Sequence, residues 1–269
     1  MHCHGQSTTQ PTAPEPTSAW VAVVPVKPLP AAKTRLRGAV PEAVHPDLVL
    51  AMARDTVAAA LACRAVARVV VVCDDPAVCA ELTELGASCL PDTPAAGLNA
   101  ALTYGALAAG QAVDPRGRAD APEPETAGAR RGGAEASPGS AGPSGGGVET
   151  SRGGAGGVGV AVVALTADLP AMRPEDLEAA LLAAARAGRR AFVPDLEGTG
   201  TVLLAAPAGE ALAPQFGPGS AAAHQRSGAV RLDGDWPSLR RDVDTAADLD
   251  AAARLGLGAH TGQVLCTVA

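Results

Sequence analysis

Three uninterrupted apolar runs, at 21–26, 69–73 and 158–165, constrain this chain more than any other feature. A strand with one wet face alternates apolar and polar residues, whereas runs rich in Val and Ala at every position suit strands covered on both faces, as in a parallel sheet between two layers of helices. The segment between the first two runs has helical spacing. Pro46 stands at a first helical position with Asp47 beside it, and apolar residues continue from Leu48 to Leu61. Strand, helix, strand in so short a stretch is a βαβ unit. Later segments repeat the pattern: helix 77–85 closed by Gly86, brief strand 88–90, helix 174–187 with Glu175 and Asp176 in its first turn, and strands 191–194 and 202–206. A helix carrying His224 and Arg226 follows, then helix 246–255, opened by Thr245 and Asp248 as a capping box. The expected class is α/β, one domain, with a mostly parallel sheet and helices on both faces.

Almost half the residues are apolar but only 2% are aromatic, so the core is aliphatic and base-stacking platforms are nearly absent. A net charge of -7 excludes a nucleic-acid backbone or an anionic membrane as partner, since both need a broad basic surface. No run is long and apolar enough to span a bilayer and no leader pattern opens the chain, so a cytoplasmic protein is expected. Residues 1–18 read as a disordered tail, 113–157 as a Gly-, Pro- and Ala-rich insertion in a domain spanning 19–260, and 261–269 as a C-terminal tail. The six cysteines lack Cys-x-x-Cys spacing and are expected to be core thiols.

The chain's two lysines, Lys27 and Lys33, fall in one Pro-rich loop beside Arg35 and Arg37, directly after the first apolar run. Cations at the end of a first buried strand are placed to hold phosphates. Gly97 and Asn99 bring backbone amides and a side-chain amide to a helix start, fit for a nucleobase edge or a phosphate. Asp168 follows the most hydrophobic strand, where α/β proteins bind ligands, and suits a hard cation. The alternation Gly198-Thr199-Gly200-Thr201 offers N–H groups and hydroxyls as a cradle for a small anion, and Phe216-Gly217-Pro218-Gly219-Ser220 repeats that chemistry. Asp242 and Asp244 are expected to point apart, one joining Asp168 and the other holding backbone or a neighbouring arginine.

Taken together, VVPVKPLPAAKTRL, GLNAAL, LTADLP, EGTGTVLLAA, FGPGSAAAH and LRRDVDTAADL resemble the 2-phospho-L-lactate guanylyltransferase family, which includes the actinobacterial phosphoenolpyruvate guanylyltransferases of coenzyme F(420) biosynthesis. The resemblance implies a GT-A-like nucleotidyltransferase fold and transfer of GMP from GTP to phosphoenolpyruvate or 2-phospholactate, with a downstream pathway enzyme as a further partner. It also implies roles: Lys27, Lys33 and Arg35 on the triphosphate, Asp168 with Asp242 or Asp244 on Mg²⁺, Gly97 and Asn99 at guanine, and Thr199, Thr201, Gly217 and Ser220 on the acceptor. Val202 stands where the family pattern often has a further threonine, which leaves open whether Thr199 or Thr201 touches the acceptor. The alternatives are transfer to another small phosphorylated acceptor and a non-catalytic nucleotide-binding module.

Overall fold

The computed structural model describes residues 19–27, 36, 40–111 and 159–268. Lys33 and Arg35, the 1–18 segment and the 113–157 insertion lie outside the described residues. Strands β1 (Trp20–Pro25), β2 (Val66–Val72), β3 (Ser88–Leu90), β4 (Ala161–Leu165), β5 (Ala191–Pro194), β6 (Thr201–Ala206) and β7 (Val230–Arg231) form one sheet in the order β3-β2-β1-β4-β6-β5-β7. β1 to β4 run parallel, and β5 runs parallel to β7. β6 alone runs against its neighbours β4 and β5, because the short connection 195–200 permits only a hairpin. The sheet is mixed, with six strands in one direction.

The helices are α1 (His45–Ala62), α2 (Pro76–Glu84), α3 (Leu98–Gln111), α4 (Pro174–Ala187), α5 (Ser220–Arg226), α6 (Ala246–Leu255) and α7 (Ala259–Val268). The period of two in each strand sorts the apolar runs between two layers. Ala22, Val24, Val69, Val71, Val163 and Leu165 pack with Val57 of α1, Leu82 of α2 and Leu177 of α4. Val21, Val23, Val70, Val72 and Val162 pack with Leu102 and Ala106 of α3 and Ala221 of α5. Gly105 lets α3 lie close on the sheet: a Cβ there would sit 2.6 Å from Val23 Cγ1 and 2.8 Å from Val72 Cγ2. A third cluster gathers Leu36, Leu48, Met52, Val243 and Leu249 at one end of α1.

Two expectations change. Residues 259–268 form a docked helix, not a tail: the Asp55 carboxylate of α1 accepts the N–H groups of His260 at 3.0 Å and Thr261 at 2.8 Å. Those amides open α7 and have no carbonyl of their own helix, so a buried acid on α1 both caps and anchors it. Cys79 of α2 and Cys89 of β3 form a disulfide, so these two are not core thiols. The crossover helix brings them together, and no short spacing announces that. Cys63 and Cys73 are buried free thiols, and burial pushes both above the usual thiol range. Among the described residues no helix is long and apolar enough to cross a membrane.

Candidate active site

The sheet order sets the ends of β2, β1 and β4 and the start of β6 side by side along one edge. Val23 of β1 and Ala164 of β4 form the last pair of that ladder, and Lys27 and Asp168 each follow a few residues beyond the ends of these adjacent strands. Leu165 pairs with Leu203 of the reversed β6, which sets Thr201 level with Ala167 on the other side. Beyond β1, the Val26 N–H donates to Val72 O at 2.9 Å and the Cys73 N–H to Leu90 O at 2.9 Å, prolonging the ladder toward Asp74. Asp74, Lys27, Asp168 and Thr201 therefore follow one another across the carboxyl ends of the parallel strands, the edge where open α/β sheets bind ligands.

The backbone around Asp168 is pinned from four directions. Thr166 N–H donates to Val202 O at 3.1 Å and Leu169 N–H to the Thr56 hydroxyl at 3.0 Å. The Asp168 carbonyl accepts the Val243 N–H at 3.0 Å, and the Pro170 carbonyl accepts the Gly258 N–H at 2.8 Å. The Val243 bond brings the Asp242-Val243-Asp244 segment, distant in sequence, directly against Asp168. Val243 is buried in the same cluster as Leu36, the residue after Arg35, while Asp242 is half-buried and Asp244 exposed. The backbone bends at Asp244, so simple strand alternation does not set the directions of the two aspartates. Arg240 donates to Pro194 O at 3.3 Å and Asp195 O at 3.0 Å, and Arg241 lies 3.8 Å from Asp248.

Asp168, with Asp242 or Asp244 from the segment that Val243 ties to it, could share a divalent cation. Among the described residues no group of three or more His, Cys, Asp or Glu is gathered as a self-sufficient metal site. Two carboxylates fit Mg²⁺ nonetheless, because Mg²⁺ commonly takes one or two protein carboxylates and completes its shell with water and substrate phosphate.

Lys27 also lines a cavity of about 220 Å³, together with Pro25, Val26, Val72, Leu98 and Ala101 and with Asp74, Asp92 and Gly97. Gly97, at φ 92°, makes a left-handed turn into α3 that favours glycine. Asn99 does not present its amide to this cavity as a free reader. Its Nδ2 donates to Phe216 O at 3.0 Å and its Oδ1 accepts the Phe216 N–H at 2.7 Å. This reciprocal pair ties the start of α3 to the loop at 216–220.

The Gly-Thr-Gly-Thr cradle does hold a carboxylate, but the protein supplies it. Asp195, buried, accepts the N–H of Thr199 at 2.9 Å and of Gly200 at 2.7 Å. A side chain at 200 would collide with that carboxylate. Thr199 is left exposed, and its carbonyl accepts the Ala221 N–H at 3.1 Å, joining the cradle to the 216–220 loop. Thr201 is buried, 3.0 Å from His224 Nδ1. The other ring nitrogen accepts the Gln215 N–H at 2.8 Å, so the proton resides on Nδ1 and is donated to Thr201 Oγ1. That leaves the Thr201 hydroxyl with its own proton to donate. Burial, followed by the nearby Arg190 charge, lowers the His224 pKa to about 4, and the ring packs edge-on against Phe216. Ser220 is buried, and Gly217, at φ 136°, is exposed.

Sequence reading missed Thr56, Asp74, Asp195 and His224. Asp74 had a local signal, its place directly after a buried strand like that of Asp168, but Asp74-Asp75-Pro76 also reads as a strand terminator. Asp75 does play the local part, capping α2 through the N–H groups of Ala77 and Val78.

No family model matches the chain. It is 49% identical over 255 residues to a phosphoenolpyruvate guanylyltransferase of Salinispora arenicola, covering 94% of this chain and 96% of that one. It is 47% identical over 253 residues to the enzyme of the same name from Geodermatophilus obscurus, covering 92% and 94%. A crystal structure described as that of a nucleotide-diphospho-sugar transferase from Desulfovibrio desulfuricans G20 superposes with a TM-score of 0.55 at 17% identity, covering 93% of this chain and 95% of that one. This likeness establishes the fold alone.

Proposed function

Since the chain belongs to the phosphoenolpyruvate guanylyltransferase family, we propose that it transfers GMP from GTP to the phosphate of phosphoenolpyruvate in coenzyme F(420) biosynthesis. What supports this reading is that Lys27 and Asp168 follow the ends of the neighbouring strands β1 and β4, with a base-sized cavity lined by Lys27 and with β6, which opens at Thr201, on the other side of β4. The Lys27 ammonium neutralises the triphosphate and, with Lys33 and Arg35, the leaving pyrophosphate. Asp168 together with Asp242 or Asp244 would hold Mg²⁺. The ion supplies charge neutralisation at the α-phosphate when bound.

An acceptor phosphate oxygen attacks the α-phosphorus, the bond from that phosphorus to the α–β bridging oxygen breaks, and pyrophosphate leaves with the electron pair. The acceptor phosphate is already ionised at neutral pH, so no general base is needed. Thr199, Thr201, Gly217 and Ser220 hold the acceptor. Thr201 does so through the hydroxyl proton that His224 leaves it, and Asn99 acts one step back by fixing Phe216. The test is pyrophosphate release with GTP and Mg²⁺ in the presence of phosphoenolpyruvate, of 2-phospholactate, or of no acceptor. Release dependent on phosphoenolpyruvate supports the reading. Release without any acceptor, or none under any condition, contradicts it.

A further inference from the structure

The cavity at Lys27 has apolar lining from Val26, Val72, Leu98 and Ala101 and charged lining from Lys27, Asp74 and Asp92. At about 220 Å³ it is smaller than the roughly 300–1,000 Å³ of a drug-sized cleft, and suits one ring system with its sugar and phosphates outside. Asp74 is held in place there: its Oδ1 accepts the Asp92 backbone N–H at 2.6 Å. Asp92 is fixed in turn, its own Oδ1 accepting the Ala95 N–H at 3.3 Å. The Asp74 carboxylate thus has one oxygen anchored to backbone and still able to accept a second bond, while Oδ2 takes no part in that anchor. An ionised carboxylate accepts and cannot donate. It therefore selects a base that shows two adjacent donors on one edge. Guanine does so with N1–H and the N2 amino group, whereas adenine shows an acceptor at N1 and no amino group at C2.

We infer that Asp74 is the residue that selects guanine, accepting N2–H at Oδ2 and N1–H at Oδ1. The inference rests on the nucleotidyl-transfer reading for the ligand, and deepens it by naming the group that reads the base. Its consequence is a programmed change of specificity. In Asp74→Asn the Asp92 N–H still requires an acceptor, so the amide oxygen occupies the Oδ1 position and the amide NH₂ replaces Oδ2. That variant offers guanine a donor against a donor. It offers xanthine, which carries a carbonyl at C2 and keeps N1–H, a matched pair.

The experiment compares GTP, XTP and ATP in phosphoenolpyruvate-dependent pyrophosphate release by the wild type, Asp74→Asn and Asp74→Ala. It also measures equilibrium binding of fluorescent GTP and XTP to each. Wild type should prefer GTP. Asp74→Asn should lose about 10- to 100-fold in kcat/KM for GTP and gain a comparable factor for XTP, while Asp74→Ala loses GTP without gaining XTP. A parallel fall for both nucleotides in Asp74→Asn, or an unchanged GTP preference, overturns the assignment. GTP binding by the wild type and the swap in binding by Asp74→Asn, with no phosphoenolpyruvate-dependent pyrophosphate release by the wild type, overturn the proposed reaction and leave the base assignment standing.

Discussion

Thr56 is not among the residues assigned to substrate or metal, yet its loss should be felt at Asp168. Thr56 and Leu169 are both 0% exposed, and the hydroxyl accepts the Leu169 N–H at 3.0 Å while donating to Met52 O at 2.9 Å. Thr56→Val keeps the shape and removes both bonds. The Met52 carbonyl lies four residues earlier on α1 and retains its helical partner, so its loss is minor. The Leu169 amide has no such substitute, and a buried unsatisfied N–H costs about 1–3 kcal/mol. For a chain of this size each kcal/mol lowers the melting temperature by about 2–4 °C. Because that amide belongs to the residue next to Asp168, the carboxylate loses one of its positioning bonds, and small misplacements can cost up to about a hundredfold in rate. The assay is a thermal melt together with kcat for Thr56→Val and for Thr56→Ser, which keeps the hydroxyl. Valine should be destabilised and slow, with serine close to wild type in kcat. Equal damage by both would mean that the methyl group, not the hydrogen bond, matters. An unperturbed valine variant would refute the argument altogether.

Asp168→Asn should lower kcat at least about a hundredfold with the far-ultraviolet spectrum unchanged, and an active Asn variant would remove Asp168 from the site. His224 is neutral when folded, and its pKa of about 4 lies below the unfolded 6.5. Its contribution is therefore complete above pH 6.5 and declines as pH falls through that interval to about 4, by about 3 kcal/mol in all. Denaturant titrations across pH 4–7 should show that loss in wild type and a flatter profile in His224→Gln. Gly105→Ala drives a methyl into Val23 and Val72 and should destabilise by about 1–3 kcal/mol in a denaturant melt.

What the sequence made legible was whatever local pattern controls. The uninterrupted Val and Ala runs gave the strands, because burial on both faces leaves no polar position to interrupt them. Pro46, Pro174, Gly86 and Gly188 marked helix ends for conformational reasons that act within one turn. Asp168 stood out because a strand end is itself a location. Contacts made across long sequence separations were not legible. Asp55 and α7 meet across 205 and 206 residues, Asn99 and Phe216 across 117, and nothing local signals either pair. The 198–201 turn shows the limit most clearly. Its chemistry was read as anion-binding, which it is, but nothing local shows that Asp195, a few residues earlier, is the anion it binds.

The central claim is that Lys27 and the Asp168–Asp242 pair act on one triphosphate at the carboxyl edge of the sheet. The direct measurement is a crystal structure of the chain with Mn²⁺ and a GTP analogue whose α–β bridge cannot be cleaved, the metal located by its anomalous signal. The account predicts Mn²⁺ bound by Asp168 and by Asp242, Asp244 or both, in contact with the α-phosphate, with Lys27 on the same triphosphate and guanine against Asp74. A triphosphate bound elsewhere, or metal density away from Asp168, would contradict it.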